Sequence, residues 1–203
     1  MNLPTTSPTH APRYAQATLA ATLQAGTVYR REDFVPFTNA VDRHLRALVD
    51  EGALTKIAPG LYYAPKKSAF GPLPPDDEKL IEAFLRDKHF LIFSVNAYHS
   101  AGLGTTQLSN QTLVYNHKRH GVFTLGNRRF DFRVKPRFPR SLSPEFVFVD
   151  ALNNIAQLGE DQEAMLAQAQ QRTPTFDAKV LRRVVEHYGN GATKKRVNGW
   201  LNA

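Results

Sequence analysis

Apolar and polar positions alternate along this chain with two periods, one helical and one strand-like. Over residues 38–52, TNAVDRHLRALVDEG, Val41, Leu45, Leu48 and Val49 recur at i, i+4, i+7 and i+8. That spacing makes one apolar stripe on a helix. Thr38 suits the N-cap and Gly52 the position just past the C-terminus, so both helix ends are marked. At about 100° per residue, Asn39, Arg43 and Arg46 fall on the opposite face. Upstream, residues 14–25 predict a first helix carrying Leu19 and Leu23, and residues 32–37 a short second helix ended near Pro36. Downstream, residues 54–57 and 61–64 read as two short strands. Between them Pro59 and Gly60 occupy the second and third positions of a type II turn. Lys66 and Lys67 follow the hairpin.

The next stretch, Gly71-Pro72-Leu73-Pro74-Pro75-Asp76-Asp77, has three prolines that remove donors and fix φ, so it is expected as a linker. Beyond it the periods predict a helix over residues 78–88, a buried strand over 89–93 and a helix from Ser94 through His99. Strands follow over 112–116, 122–125, 130–134 and 146–149. Asp150 is expected to cap a helix, with further helices over 160–171 and 176–187 and a closing turn over 198–201. The succession of helix, short helix, capped basic helix and tight hairpin is that of a winged helix-turn-helix. The predicted class is therefore α+β, in four segments. Residues 1–13 form a disordered tail, residues 14–70 the winged helix-turn-helix, residues 71–77 the linker and residues 78–203 a mixed α/β C-terminal domain.

Charge narrows the choice of partner. A net charge of +8 and a pI near 9.8 favour a polyanion, because phosphate contacts release condensed counterions. No apolar run approaches the roughly 20 residues that span a bilayer, and the N-terminus lacks the pattern of a secretory signal. With no cysteine in the chain, disulfides and thiolate metal sites are excluded, which fits a cytoplasmic protein. Duplex DNA is the partner this pattern suits. Asn can pair bidentately with adenine and Arg with guanine, so Thr38, Asn39, Arg43 and Arg46 are the candidate readers. Lys56, Lys66 and Lys67 are candidate phosphate contacts. A helix and hairpin packed for stability alone is the competing reading, and it leaves the ordered succession and the basic charge unexplained.

Residues 45–66, LRALVDEGALTKIAPGLYYAPK, carry a helix ending in Gly52, then Leu54, Lys56-Ile57, Gly60, Tyr62-Tyr63 and Pro65. Past the prolines come Asn96-Ala97-Tyr98, Ala101-Gly102-Leu103-Gly104-Thr105-Thr106 and strands to Lys135. Together these resemble the AbiEi-type antitoxins of type IV toxin–antitoxin systems, over most of residues 14–159. The resemblance implies an autorepressor of a phage-defence operon that binds inverted-repeat operator DNA, with two copies on the duplex. It also implies a C-terminal domain that counters a nucleotidyltransferase toxin.

A second basic cluster holds Lys118, Arg119, Arg128, Arg129, Arg133 and Lys135, interleaved with Tyr115, Phe123, Phe130 and Phe132. It fits a second surface for DNA or the toxin, and equally a sheet with a solvated outer face, as the alternation over residues 130–135 suggests. Asp131-Phe132-Arg133-Val134-Lys135 invites a nuclease reading, but Arg133 stands where a second carboxylate would be needed. His117 and His120 lack a third ligand nearby, and the glycine pairs lack nucleotide-binding spacing. Neither an enzyme nor a cofactor is expected. Two alternatives stay open: a stand-alone transcriptional regulator with a ligand- or protein-sensing C-terminal domain, and an enzyme acting on nucleic acid.

Overall fold

The computed structural model describes residues 18–103, 110–158 and 161–202. The expected tail, the start of the first helix, Gly104-Thr105-Thr106 and Glu160 lie outside the described residues. The chain is α+β and divides into two units: one runs to Lys88 and includes Thr124–Arg128, the other comprises His89–Phe123 and the chain from Arg129.

In the first unit residues 18–22 are helical, and strand β1 (Val28–Arg30) runs directly into a 3-10 helix, Arg31–Phe37. Helix α1 (Val41–Asp50) follows, then β2 (Thr55–Ala58) and β3 (Leu61–Tyr63). β3 lies between β1 and β2, antiparallel to both. β1 has no counterpart in the sequence expectations. Val28 and Tyr29 are good strand formers, but three residues are too few to display an alternation. Leu19, Phe34, Val41, Leu45, Leu48, Leu54, Tyr62 and Ala64 make the core, so the predicted stripe of α1 does face inward.

The two ends of α1 differ from each other. Its N-cap is Ala40, not Thr38; the Thr38 hydroxyl instead accepts the Ala40 N–H at 3.1 Å and shapes the entry turn. At the other end Gly52 adopts φ +71°, as a residue past a helix C-terminus requires. Gly60, also at φ +71°, supplies the left-handed residue of the turn between β2 and β3.

Residues expected as a linker are partly regular. Gly71–Leu73 is β5, antiparallel to β4 (Lys66–Ser68), and Asp76 caps helix α2 (Asp77–Leu85) by accepting the Lys79 N–H. Pro72 is tolerated because a two-stranded ribbon has outer edges that need no donor. The Arg30 guanidinium donates to the Ala83 carbonyl and ties α2 to β1.

The second unit holds most of a sheet of order β6 (Leu91–Ser94), β7 (Thr112–Asn116), β9 (Arg128–Val134), β8 (Gly121–Leu125), of which Thr124, Leu125 and Arg128 count to the first unit. β6 and β7 are antiparallel, β7 and β9 parallel. A short helix α3 (Ala97–Ser100) follows β6. Residues 146–149 are not the expected strand but the middle of α4 (Pro144–Asn153), capped by Ser143. All of residues 146–152 are buried, and a helix without a polar face has no helical period to read. Asp150 accordingly caps nothing. It lies buried inside α4 and accepts the hydroxyls of Tyr98 and Tyr115 at 2.7 and 2.6 Å. Helices α5 (Gln162–Arg172) and α6 (Ala178–Tyr188) start from the caps Asp161 and Asp177. α7 (Gly191–Trp200) is a full helix where a closing turn was expected, because its two glycines dilute the helical signal. Leu181, Val185 and Val197 join Phe148 and Tyr115 in this unit's core. Among the described residues no helix is long and apolar enough to cross a membrane.

Candidate nucleic-acid interface

Burial of Val41, His44, Leu45 and Leu48 turns the other side of α1 to solvent. Arg43 and Arg46 are exposed there; Asn39 is exposed just ahead of the helix, and Thr38 is half-buried in the entry turn. The one carboxylate in the first turn, Asp42, is engaged. Arg31 holds it by two hydrogen bonds of 2.7 and 2.6 Å, which keep the Asp42 carboxyl below the usual carboxylate range and raise Arg31. Its negative charge is thereby offset by the Arg31 guanidinium. The Arg31 N–H also donates to the Gly60 carbonyl at 2.9 Å, fastening the Pro59-Gly60 turn to the start of the 3-10 helix.

Lys56 is exposed on β2, and Lys66 and Lys67 are exposed on β4. The hairpin formed by β4 and β5 escaped the sequence reading; the signal available for it was Gly71, which takes φ +110° after the Ala69-Phe70 turn. Lys66 passes over Gly26, where a Cβ would stand 2.8 Å from its Cε, so a side chain there would dislodge the lysine stem. A groove of about 660 Å³ runs between the end of α1 at Glu51, Gly52 and Ala53 and the hairpin residues Lys67, Ser68, Gly71 and Pro72. From Ala53 to Pro75 the chain has three lysines and no carboxylate.

The second basic cluster is not one array. Lys118 and Arg119 are exposed in a turn held by Asn116, whose side-chain oxygen accepts both backbone N–H groups at 2.8 and 2.6 Å. Arg129 is exposed as the second residue of β9. Arg128 belongs to the first unit and pairs with Asp77 there; burial nonetheless pushes the Asp77 carboxyl up. Arg133 is half-buried and pairs with Asp131 at 2.9 Å; burial works against its charge, but the bond to Asp131 raises it. The Lys135 ammonium lies 5.1 Å from the centre of the Tyr115 ring. Asp131 thus serves a cation of its own strand. His117 stacks on His89 and on buried Phe138, with ring nitrogens of the two histidines 3.0 Å apart. Among the described residues no group of three or more His, Cys, Asp or Glu is placed to hold a metal ion.

Set against known proteins, residues 17–156 match the model of DUF6088, a family of unknown function. No curated protein sequence matches the chain. The crystal structure of the RV2827C protein from Mycobacterium tuberculosis is similar in fold. It superposes with a TM-score of 0.54 at 15% identity, covering 97% of this chain and 78% of that one.

Proposed function

The chain belongs to the DUF6088 family, and from that premise we propose that it is a DNA-binding autorepressor and antitoxin. Its first unit acts as a winged helix-turn-helix on inverted-repeat operator DNA. The observation that carries this reading is the order helix, β1, 3-10 helix, α1, β2, β3 with β3 central in the sheet, combined with the outward Arg43 and Arg46. In a winged helix-turn-helix the third helix is the reader, and here that is α1. Arg43 and Arg46 address guanine edges, Asn39 addresses adenine, and Thr38 sets the entry of the chain into the helix. Lys56, Lys66 and Lys67 neutralise phosphates on the flanking backbone. Two copies read the two halves of the operator.

The antitoxin half of the reading assigns the second unit to a nucleotidyltransferase toxin. Its support is the likeness of residues 96–135 to AbiEi-type antitoxins and the exposed cations Lys118, Arg119 and Arg129. The chain itself performs no catalysis in this account.

Two substitutions separate reading from clamping. Arg43→Ala should cost about 1–3 kcal/mol on the operator and relax base preference at one position of each half-site. Lys66→Ala should weaken operator and random duplex alike and lower the salt slope by roughly 0.9. Equal losses for both variants on both duplexes would contradict the assignment.

A further inference from the structure

Phe70 is fully exposed at the tip of the β4–β5 hairpin and contributes nothing to either core. The hairpin tip that carries it is nonetheless closed by hydrogen bonds of its own. The Ser68 hydroxyl donates to the Gly71 carbonyl at 2.7 Å and accepts the Phe70 N–H at 3.2 Å, closing the tip from inside. Pro72 fixes φ on the return strand, opposite Lys67. Both ends of the ribbon are tethered within the first unit. Ala64 exchanges hydrogen bonds with Gly26 and Thr27 at 2.7 and 3.0 Å, and the Tyr63 hydroxyl donates to the Pro74 carbonyl at 3.3 Å. Lys66 stands at the foot of the hairpin and Lys67 on its middle rung, and the nearest carboxylates in sequence are Glu51 and Asp76.

A hydrogen-bonded ribbon with cations along one strand and a bare aromatic ring at its tip matches the design of proteins that enter a DNA groove and unstack neighbouring base pairs. Its reach is sufficient, since three strand residues extend about 10 Å and the minor groove is about 7.5 Å deep. We propose that Phe70 is a wedge that inserts from the minor groove between base pairs flanking the site read by α1 and kinks the duplex there. Lys66 and Lys67 hold the phosphates on either side of the opened step. This rests on the DNA-binding reading above and adds to it a deformation of the DNA and a residue that causes it.

The test compares the full chain with Phe70→Ala and Phe70→Trp on the duplex that shifts best from the region upstream of its own gene. Bending is read by energy transfer between dyes on the duplex ends. The parent should bend the duplex, within the roughly 20–90° that such wedges produce. Phe70→Ala should bind about tenfold more weakly, with an unchanged salt slope, and leave the DNA straight. Its thermal unfolding should match the parent, since the ring packs on nothing. Phe70→Trp should keep the bend, and its added emission, read against Trp200 of the parent, should be quenched on binding. Phe70→Ala binding and bending DNA like the parent would overturn the wedge and leave the DNA-binding reading standing. Phe70-dependent sedimentation with phosphatidylserine vesicles, without any effect on DNA, would overturn it in favour of a membrane contact. A parent chain that shifts no duplex at low salt would overturn both readings.

Discussion

His44 lies on the inward face of α1, 3% exposed, and neither ring nitrogen has a hydrogen-bond partner. A buried polar group without a partner costs on the order of 1–3 kcal/mol. His44→Leu should therefore raise stability by about 1 kcal/mol or more in urea unfolding, with DNA affinity unchanged; a loss of stability would mean that the ring is satisfied after all. Asp150 poses the opposite case, a buried acid with partners. Burial holds its carboxyl above the usual range, and the hydroxyls of Tyr115 and Tyr98 offset this only in part. A raised folded-state pKa contributes stability that is full below the ordinary carboxylate value of 3.8 and is lost as pH rises through the folded value. Asp150→Asn does not titrate and keeps an oxygen for both hydroxyls. The stability of the parent relative to this variant should therefore fall as pH is raised above about 4. A difference that stays flat with pH would show that the carboxyl does not titrate as its burial requires. Asp150→Ala, which strands two buried hydroxyls, should cost several kcal/mol at any pH.

At the scale of elements, what could be read in the sequence was what has a period and two sides. α1 was legible because Val41, Leu45 and Leu48 meet the core while Arg43 and Arg46 meet water, and Gly52 marks its end. Its start was misplaced because Thr38 makes the same kind of hydrogen bond in an entry turn as it would in a cap. α4 was misread because burial on every side leaves Phe146-Val147-Phe148-Val149 without polar punctuation. β1 and the β4–β5 ribbon were missed because three-residue strands are too short to alternate, and in the ribbon prolines signalled a break where an edge permits them. The exposure of Arg43 and Arg46 was thus legible from the helical face, while the hairpin that presents Phe70 was not. The cap of α1 offers a check. Nothing stands within 4 Å of a Cβ added at Gly52, so Gly52→Ala should cost about 1 kcal/mol through its left-handed backbone alone. A much larger loss in denaturant unfolding would point to packing that this geometry does not contain.

At the scale of the molecule, the excess of +8 is unevenly spread: the run from Ala53 to Pro75 holds only cations, and the turn at Lys118 and Arg119 adds more in the second unit. Binding driven by phosphate neutralisation must weaken as salt is added. The most direct test is a gel shift with the full chain on the duplex upstream of its own gene, against a shuffled duplex of equal length, over a range of salt concentrations. With Lys56, Lys66 and Lys67 each neutralising one phosphate, the logarithm of the binding constant should fall against the logarithm of salt with a slope of about 3 per copy, to which the arginines would add. The upstream duplex should be preferred at every salt concentration. Equal binding to both duplexes, or affinity indifferent to salt, would contradict the assignment of α1 and its neighbouring lysines to operator DNA.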